Sequence, residues 1–184
     1  MKEAHSKKLF VKVRDLPFEV IPGTSLDYQK AIESIEKYGR GSCTSKHFYL
    51  GKLYEEIGLD VSYVTYTFYW EEQKFLSERL KQLSRNLPEQ YHLALKVEGR
   101  VIDATFDKLL TPIFPVNEFE DCKISVECKD EIVHSSPWER IEYVKLKAKK
   151  SNKLQKFYSE LNEYAKRIRK LNKLKHLRSF NSNS

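Results

Sequence analysis

Glycine and cysteine are both scarce in this chain of 184 residues, which holds six of the first and three of the second. No Walker or dinucleotide-binding pattern forms among the six glycines, so a phosphate-cradling loop is not expected. Three cysteines, an odd number, argue against a disulfide framework. Cys122 and Cys128 are separated by five residues and lack the tight spacing and partner histidines of a structural zinc site; His134 is the only histidine near them. A Cys43–His47 pair on one helix face would lack its remaining ligands. Neither a metal nor a cofactor is expected. No run of about 18 apolar residues occurs, so no membrane span is expected. The first residues, Met1-Lys2-Glu3-Ala4-His5-Ser6-Lys7-Lys8, lack the apolar stretch of a signal peptide, and a cytoplasmic location is the simplest expectation.

What is plentiful is apolar and aromatic surface, at 40% and 12% of residues, enough for one domain to bury a core. Charge is divided unevenly. Residues 145–178 hold 13 Lys and Arg against Glu160 and Glu163, a net of +11, whereas residues 1–144 carry a net of −4. The chain therefore divides into a mildly acidic body over 1–135, a basic amphipathic helical extension over 136–178 and a disordered tail over 179–184.

Along the body, residues 9–13 read as a short strand and Pro17 and Pro22 as loop. Ser25 is placed to cap a helix carrying Leu26, Ala31, Ile32, Ile35 and Tyr38, stopped at Gly39. Ser42 is the expected N-cap of a second helix that ends before Gly58. Residues 61–70 are β-branched and aromatic, which predicts a buried strand. A charged helix over 71–87 follows, with Leu76, Leu80, Leu83 and Leu87 on one stripe. Residues 91–97 and 100–106 form a hairpin across Glu98-Gly99. Residues 107–122 read as an irregular connection with Phe114 buried, and Ile124, Val126 and Cys128 as one more strand. Ser136-Pro137-Trp138-Glu139 combines proline at the first helical position with a Ser136–Glu139 capping box. The helix it starts runs to about residue 176, with a break near Ser151-Asn152.

Chemistry concentrates on Cys43, which this reading puts in the first turn of its helix. The free N–H groups and partial positive charge there favour the thiolate, the form that attacks. About fifty residues on come His92 and Asp103. If Glu98-Gly99 is a two-residue turn, Val97 pairs with Arg100 and His92 falls opposite Thr105. His92 and Asp103 are then diagonal neighbours on one face, within side-chain reach. Leu93, Leu95, Val97, Ile102, Ala104 and Phe106 form the opposite, core face. Cys43, His92 and Asp103 together make a triad for thiol nucleophilic catalysis: nucleophile, base and orienting acid.

The stretch Gly41-Ser42-Cys43-Thr44-Ser45-Lys46-His47, with Leu50 and Leu53, resembles the nucleophile helix of the transglutaminase-like superfamily. Gly58-Leu59-Asp60-Val61-Ser62-Tyr63-Val64 is similar to that family's helix-to-strand step. Residues 91–105, closing on Asp103-Ala104-Thr105, resemble its histidine and aspartate strands. The resemblance covers roughly residues 26–106. It implies an α+β fold with a transglutaminase-like (papain-like) core, in which the nucleophile helix packs on an antiparallel sheet. It also implies cysteine-dependent acyl transfer or hydrolysis of a peptide or other amide substrate through a thioester, with Cys43, His92 and Asp103 in the roles above. Hydrolysis is favoured over amine transfer, since water needs no second binding site. The Cys43 N–H is the one oxyanion donor the sequence offers; Tyr28 and Gln29 are read as core or surface residues.

In the basic segment Leu154, Phe157, Leu161, Tyr164, Ile168 and Leu171 recur at alternating steps of three and four, an a/d seam. The favoured reading packs this seam on the chain's own body or on the same helix of a second copy, which would make a homo-oligomer. The alternative is a non-enzymatic binding module on the same fold, whose lysines contact nucleic acid or another acidic partner.

Overall fold

The computed structural model describes residues 2–181. Among these, six α-helices surround one four-stranded sheet. In chain order the elements are α1 (Lys2–Arg14), α2 (Tyr28–Glu36), α3 (Cys43–Glu56), β1 (Val61–Phe68), α4 (Glu78–Ser84), β2 (Gln90–Val97), β3 (Arg100–Ile102), β4 (Lys129–His134), α5 (Pro137–Lys147) and α6 (Asn152–Asn181). The sheet order is β3-β2-β1-β4, every pair antiparallel, so the chain is an α+β protein. β1 is central and buried along nearly its whole length, as its aromatic and β-branched content requires. Phe48 and Tyr54 of α3 pack with Tyr63, Leu93 and Leu95 of the sheet and with Phe10 and Val13 of α1 in one core cluster. A second cluster gathers Trp70, Leu80, Phe106 and Phe114 around Phe157, Leu161 and Ile168 of α6.

Several segments differ from the sequence expectation. Residues 9–13 belong to α1, not to a strand. Ser6, Phe10 and Val13 are buried on one side, a helical spacing that a five-residue apolar run does not display by itself. The helix expected from Ser25 begins later: Asp27 is its N-cap, its carboxylate accepting the Lys30 N–H at 3.0 Å. The charged helix over 71–87 is confined to α4, with Ser77 as its cap. Gln73 is buried and its amide is tied to Tyr69 and Glu127 backbone, which holds the preceding residues in a turn; Leu76, Leu80 and Leu87 still reach the core.

The Glu98-Gly99 turn is as expected, both residues having positive φ, and Val97 pairs with Arg100. The third strand stops at Ile102, not at 106, because the next N–H groups are diverted: Ala104 donates to His47 and Thr105 to Asp103. The fourth strand is Lys129–His134, not 124–128. The Ser125 and Glu127 N–H groups go to Asp103 and Gln73 side chains and leave no ladder. The polar run of β4 gives no strand alternation to read. At α5, Ser136 caps through the Glu139 N–H, but the Glu139 carboxylate accepts from Ser135, one residue earlier than a capping box. The helical break falls at 148–151.

The seam of α6 lies on the chain's own body. Phe157, Leu161 and Ile168 are buried with Ala165, while Leu154 and Tyr164 are half-buried. Leu171 departs from the expectation at 59% exposed, because the body ends near Asn172, whose amide bonds the Leu109 and Thr111 carbonyls. An ion pair between Arg169 and Asp107 at 2.8 Å and reciprocal bonds between Asn162 and Val20 fix the helix laterally. Of the tail expected to be disordered, 179–181 continue α6, and 182–184 lie outside the described residues. No helix among the described residues is long and apolar enough to cross a membrane.

Because Phe157 carries the α6 face onto the body and is fully buried against Trp70, Phe157→Ala should cost about 3–5 kcal/mol in urea unfolding. A loss below about 1 kcal/mol would mean that α6 is an appendage.

Candidate active site

Cys43 is the first residue of α3, as the sequence predicts. Ser42 is the N-cap in extended conformation, with no side-chain cap bond. The chain enters through Gly41, where a Cβ would lie 2.6 Å from Ser45 Cβ and 2.9 Å from Ile35 Cδ1, so only glycine fits. Gly41 is also tied to the preceding loop, its N–H donating to Pro17 O at 3.1 Å and its carbonyl accepting from Glu19 N at 3.0 Å. Residues 44–48 are all buried although three of the five are Thr, Ser and Lys. A helix buried all round at its start needs partners for its polar groups. Lys46 Nζ donates to Arg14 O at 2.8 Å and Thr105 O at 2.9 Å. Burial pulls its ammonium down to about 7, against the opposing charge of Asp107.

His47 joins the nucleophile helix to the aspartate segment. Its Nε2 accepts the Ala104 N–H at 2.8 Å, so Nδ1 carries the proton and donates to Cys43 O at 2.7 Å. This neutral tautomer is fixed by its two partners, and burial pulls the imidazole down to about 4 despite the nearby Asp103. His47 and Lys46 thus clamp residues 104–105 against the first turn of α3 and set the distance from Cys43 to Asp103.

Asp103 is the polar hub. Its Oδ2 accepts from His92 Nε2 at 2.9 Å and from Ser125 N and Oγ, each at 2.8 Å. Its Oδ1 accepts from Thr105 N at 3.0 Å and Oγ1 at 2.5 Å. Burial by itself would raise this carboxyl; the charge and hydrogen bond of His92, with His47 and Thr105, reverse that and hold it below the usual carboxylate range. His92 lies on β2 opposite Tyr66. With Nε2 bound to Asp103, Nδ1 is the nitrogen left for the thiol. Burial disfavours the imidazolium, but Asp103 and then Cys43 outweigh it and raise His92 well above its ordinary value. Cys43 is half-buried. Burial raises its thiol, and the charge and hydrogen bond of His92, the Leu93 N–H and the charge of Arg140 together bring it below the ordinary value. The structure therefore brings Cys43, His92 and Asp103 together.

Cys43 and His92 open on a cavity of about 610 Å³, walled by Phe18, Phe68, Trp70, Tyr91, Arg140 and Tyr158 among others. Tyr28 and Gln29 take no part in it: Tyr28 stacks between Phe48 and Trp138, and Gln29 bonds Glu33 at the surface. Among the described residues no cluster of His, Cys, Asp or Glu could hold a metal ion. No family model, curated protein or solved structure matches this chain.

Four residues of the site escaped the sequence reading of its chemistry. Thr105 was visible only as the end of Asp103-Ala104-Thr105. Ser125 has no sequence signal, since its contact depends on a loop. His47 gave its helix face but not its role. Arg140 lies in the segment read as an extension, yet it is wholly buried beside the nucleophile.

The two site histidines, with ring centroids 6.2 Å apart, should titrate in opposite directions. In an NMR titration of the imidazole protons His47 should stay neutral down to about 4, while His92 should stay charged well above its ordinary value. The stability contribution of His47 is then present above pH about 6.5 and lost as pH falls toward its folded value. That of His92 is complete below about 6.5 and lost as pH rises through its raised value. Two ordinary titrations near 6.5 would contradict the hydrogen-bond network.

Proposed function

We propose that this chain is a cysteine-dependent acyltransferase or hydrolase with a transglutaminase-like core, acting on an amide or peptide-like substrate. What supports this reading is that His92, its Nε2 held by the buried Asp103 carboxylate, lines the same cavity as a thiol at a helix N-terminus whose pKa it lowers. The Cys43 thiolate attacks the substrate carbonyl carbon, forming the C–S bond. The oxyanion develops near the Cys43 N–H at the start of α3, where intrahelical acceptors are missing. His92 gives its Nδ1 proton to the leaving amine as the C–N bond breaks, leaving a thioester and a neutral imidazole. Water, deprotonated by His92, then attacks the thioester; the acid departs and the proton returns the site to its starting state. Asp103 keeps the Nε2 proton in place throughout. Hydrolysis is preferred to amine transfer because the cavity needs then to admit one substrate and water only.

The test is trapping. Incubation with an activated ester such as p-nitrophenyl acetate should acetylate Cys43, seen by intact mass and peptide mapping. Acetylation of Cys122 or Cys128 instead would overturn the reading.

A second reading, a binding module that meets nucleic acid or an acidic partner through the basic helix, rests on the far end of α6. There Leu171, Leu174 and Leu177 are exposed among lysines. It predicts salt-sensitive retention on heparin that is lost when residues 170–184 are removed.

A further inference from the structure

The charge around the Cys43 cavity is out of balance, and Arg140 is the centre of the imbalance. It is 0% exposed and has no carboxylate partner. Its Nη1 donates to Ser25 O at 2.6 Å, and its Nη2 to Tyr91 O at 3.3 Å and Thr44 Oγ1 at 3.5 Å. Its Nε–H has no partner. Thr44 Oγ1 is in turn 4.0 Å from Cys43 Sγ, so guanidinium and thiol flank one hydroxyl. A buried cation held only by carbonyls and a hydroxyl is costly unless an anion comes to it. Arg140 is on the cavity wall, with Lys149 and Lys150 at the rim, and neither lysine has a partner among the described residues. The one acidic side chain on the wall, Glu89, is occupied by the hydroxyls of Tyr69 and Tyr91.

In the free site the group placed to supply a counter-charge to Arg140 is the Cys43 sulfur, as a thiolate, since the Asp103 carboxylate is held by His92, Thr105 and Ser125. Acylation removes that charge, because a thioester is neutral; the imidazole is neutralised in the same step, but the Asp103 carboxylate stays with its own donors and makes no bond to Arg140. The buried guanidinium is then left without an anion beside it, unless the acyl group brings one.

We infer that the cavity selects an acyl donor carrying a carboxylate close to the reacting carbonyl, steered by Lys149 and Lys150 and matched by Arg140. This rests on Cys43 being the reactive thiol proposed above. The donor count favours a carboxylate: a single guanidinium with few free N–H groups suits a monoanion.

Iodoacetate and iodoacetamide test this on the intact protein, because they deliver the same alkylation with and without a carboxylate. The rate ratio of iodoacetate to iodoacetamide at Cys43, divided by the same ratio for free cysteine, should exceed unity by about tenfold at low salt. Lys149→Gln with Lys150→Gln, both exposed and free of structural bonds, should lower the ratio about two- to threefold and weaken its salt dependence. Arg140→Gln should remove most of the remainder; should that variant fail to fold, the parent ratio and the lysine variant decide. A normalised ratio at or below one, with Cys43 still labelled ahead of Cys122, overturns the carboxylate preference and leaves the thiol chemistry standing. Cys43 inert to both reagents while Cys122 reacts overturns the thiol chemistry and this inference with it.

Discussion

Asp103→Ala should destabilise the protein by about 3–5 kcal/mol. The carboxylate accepts from five N–H and O–H groups of His92, Thr105 and Ser125, all buried. Removing it leaves those donors unmade and strips the counter-charge from a buried imidazolium. Asp103→Asn keeps the volume but turns an NH2 group toward a shell composed of donors, so it should also lose stability, by less. Urea unfolding at neutral pH measures both. An Asp103→Ala variant within about 1 kcal/mol of the parent would mean that the carboxylate is solvated and that the 103–125 contacts do not hold the loop.

His92→Ala breaks the same buried pair from the other side, so it too should lose stability, and it should also act directly on chemistry. Thioester formation at Cys43 should slow by about 10³–10⁴-fold, and Cys43→Ala should abolish it. The large factor has two sources in the geometry. His92 is the group that overcomes burial to favour the thiolate, and its Nδ1 is the site's proton donor for the leaving group. A fall of less than tenfold would place the proton transfer on another group.

The helix start at Cys43 and the Glu98-Gly99 hairpin were legible because each depends on local rules, a cap-type residue before an apolar run and a two-residue turn. The core face of that hairpin was legible for the same reason, and Leu93, Leu95, Val97, Ile102, Ala104 and Phe106 are all buried. His92 does meet Asp103, but not through the expected strand pairing, since Asp103 lies past the end of β3 and reaches His92 from a loop. What failed were segments where side chains capture the backbone. Residues 103–105 and 124–127 look like strand by alternation, yet their N–H groups serve Asp103, His47 and Gln73. No pattern in one sequence announces such long-range captures. Residues 9–13 failed for the opposite reason, since five apolar residues fit strand or helix equally and only the packing of Phe10 and Val13 on α3 decides. The division into body and extension also missed what matters chemically. α5 brings Arg140 to the cavity wall and to the Thr44 hydroxyl, and α6 supplies Tyr158 to the same wall, so the extension is part of the site's structure.

The pH dependence of Cys43 alkylation by iodoacetamide tests the central claim, a thiolate sustained by His92, most directly. In the parent protein the rate at Cys43 should rise at lower pH than at Cys128, whose thiol is pushed up by burial and neighbouring acids, since reactivity follows the thiolate. In His92→Ala the Cys43 profile should move to higher pH, because burial then acts on the thiol without the imidazolium to oppose it. Coincident profiles for Cys43 in parent and variant would contradict the account.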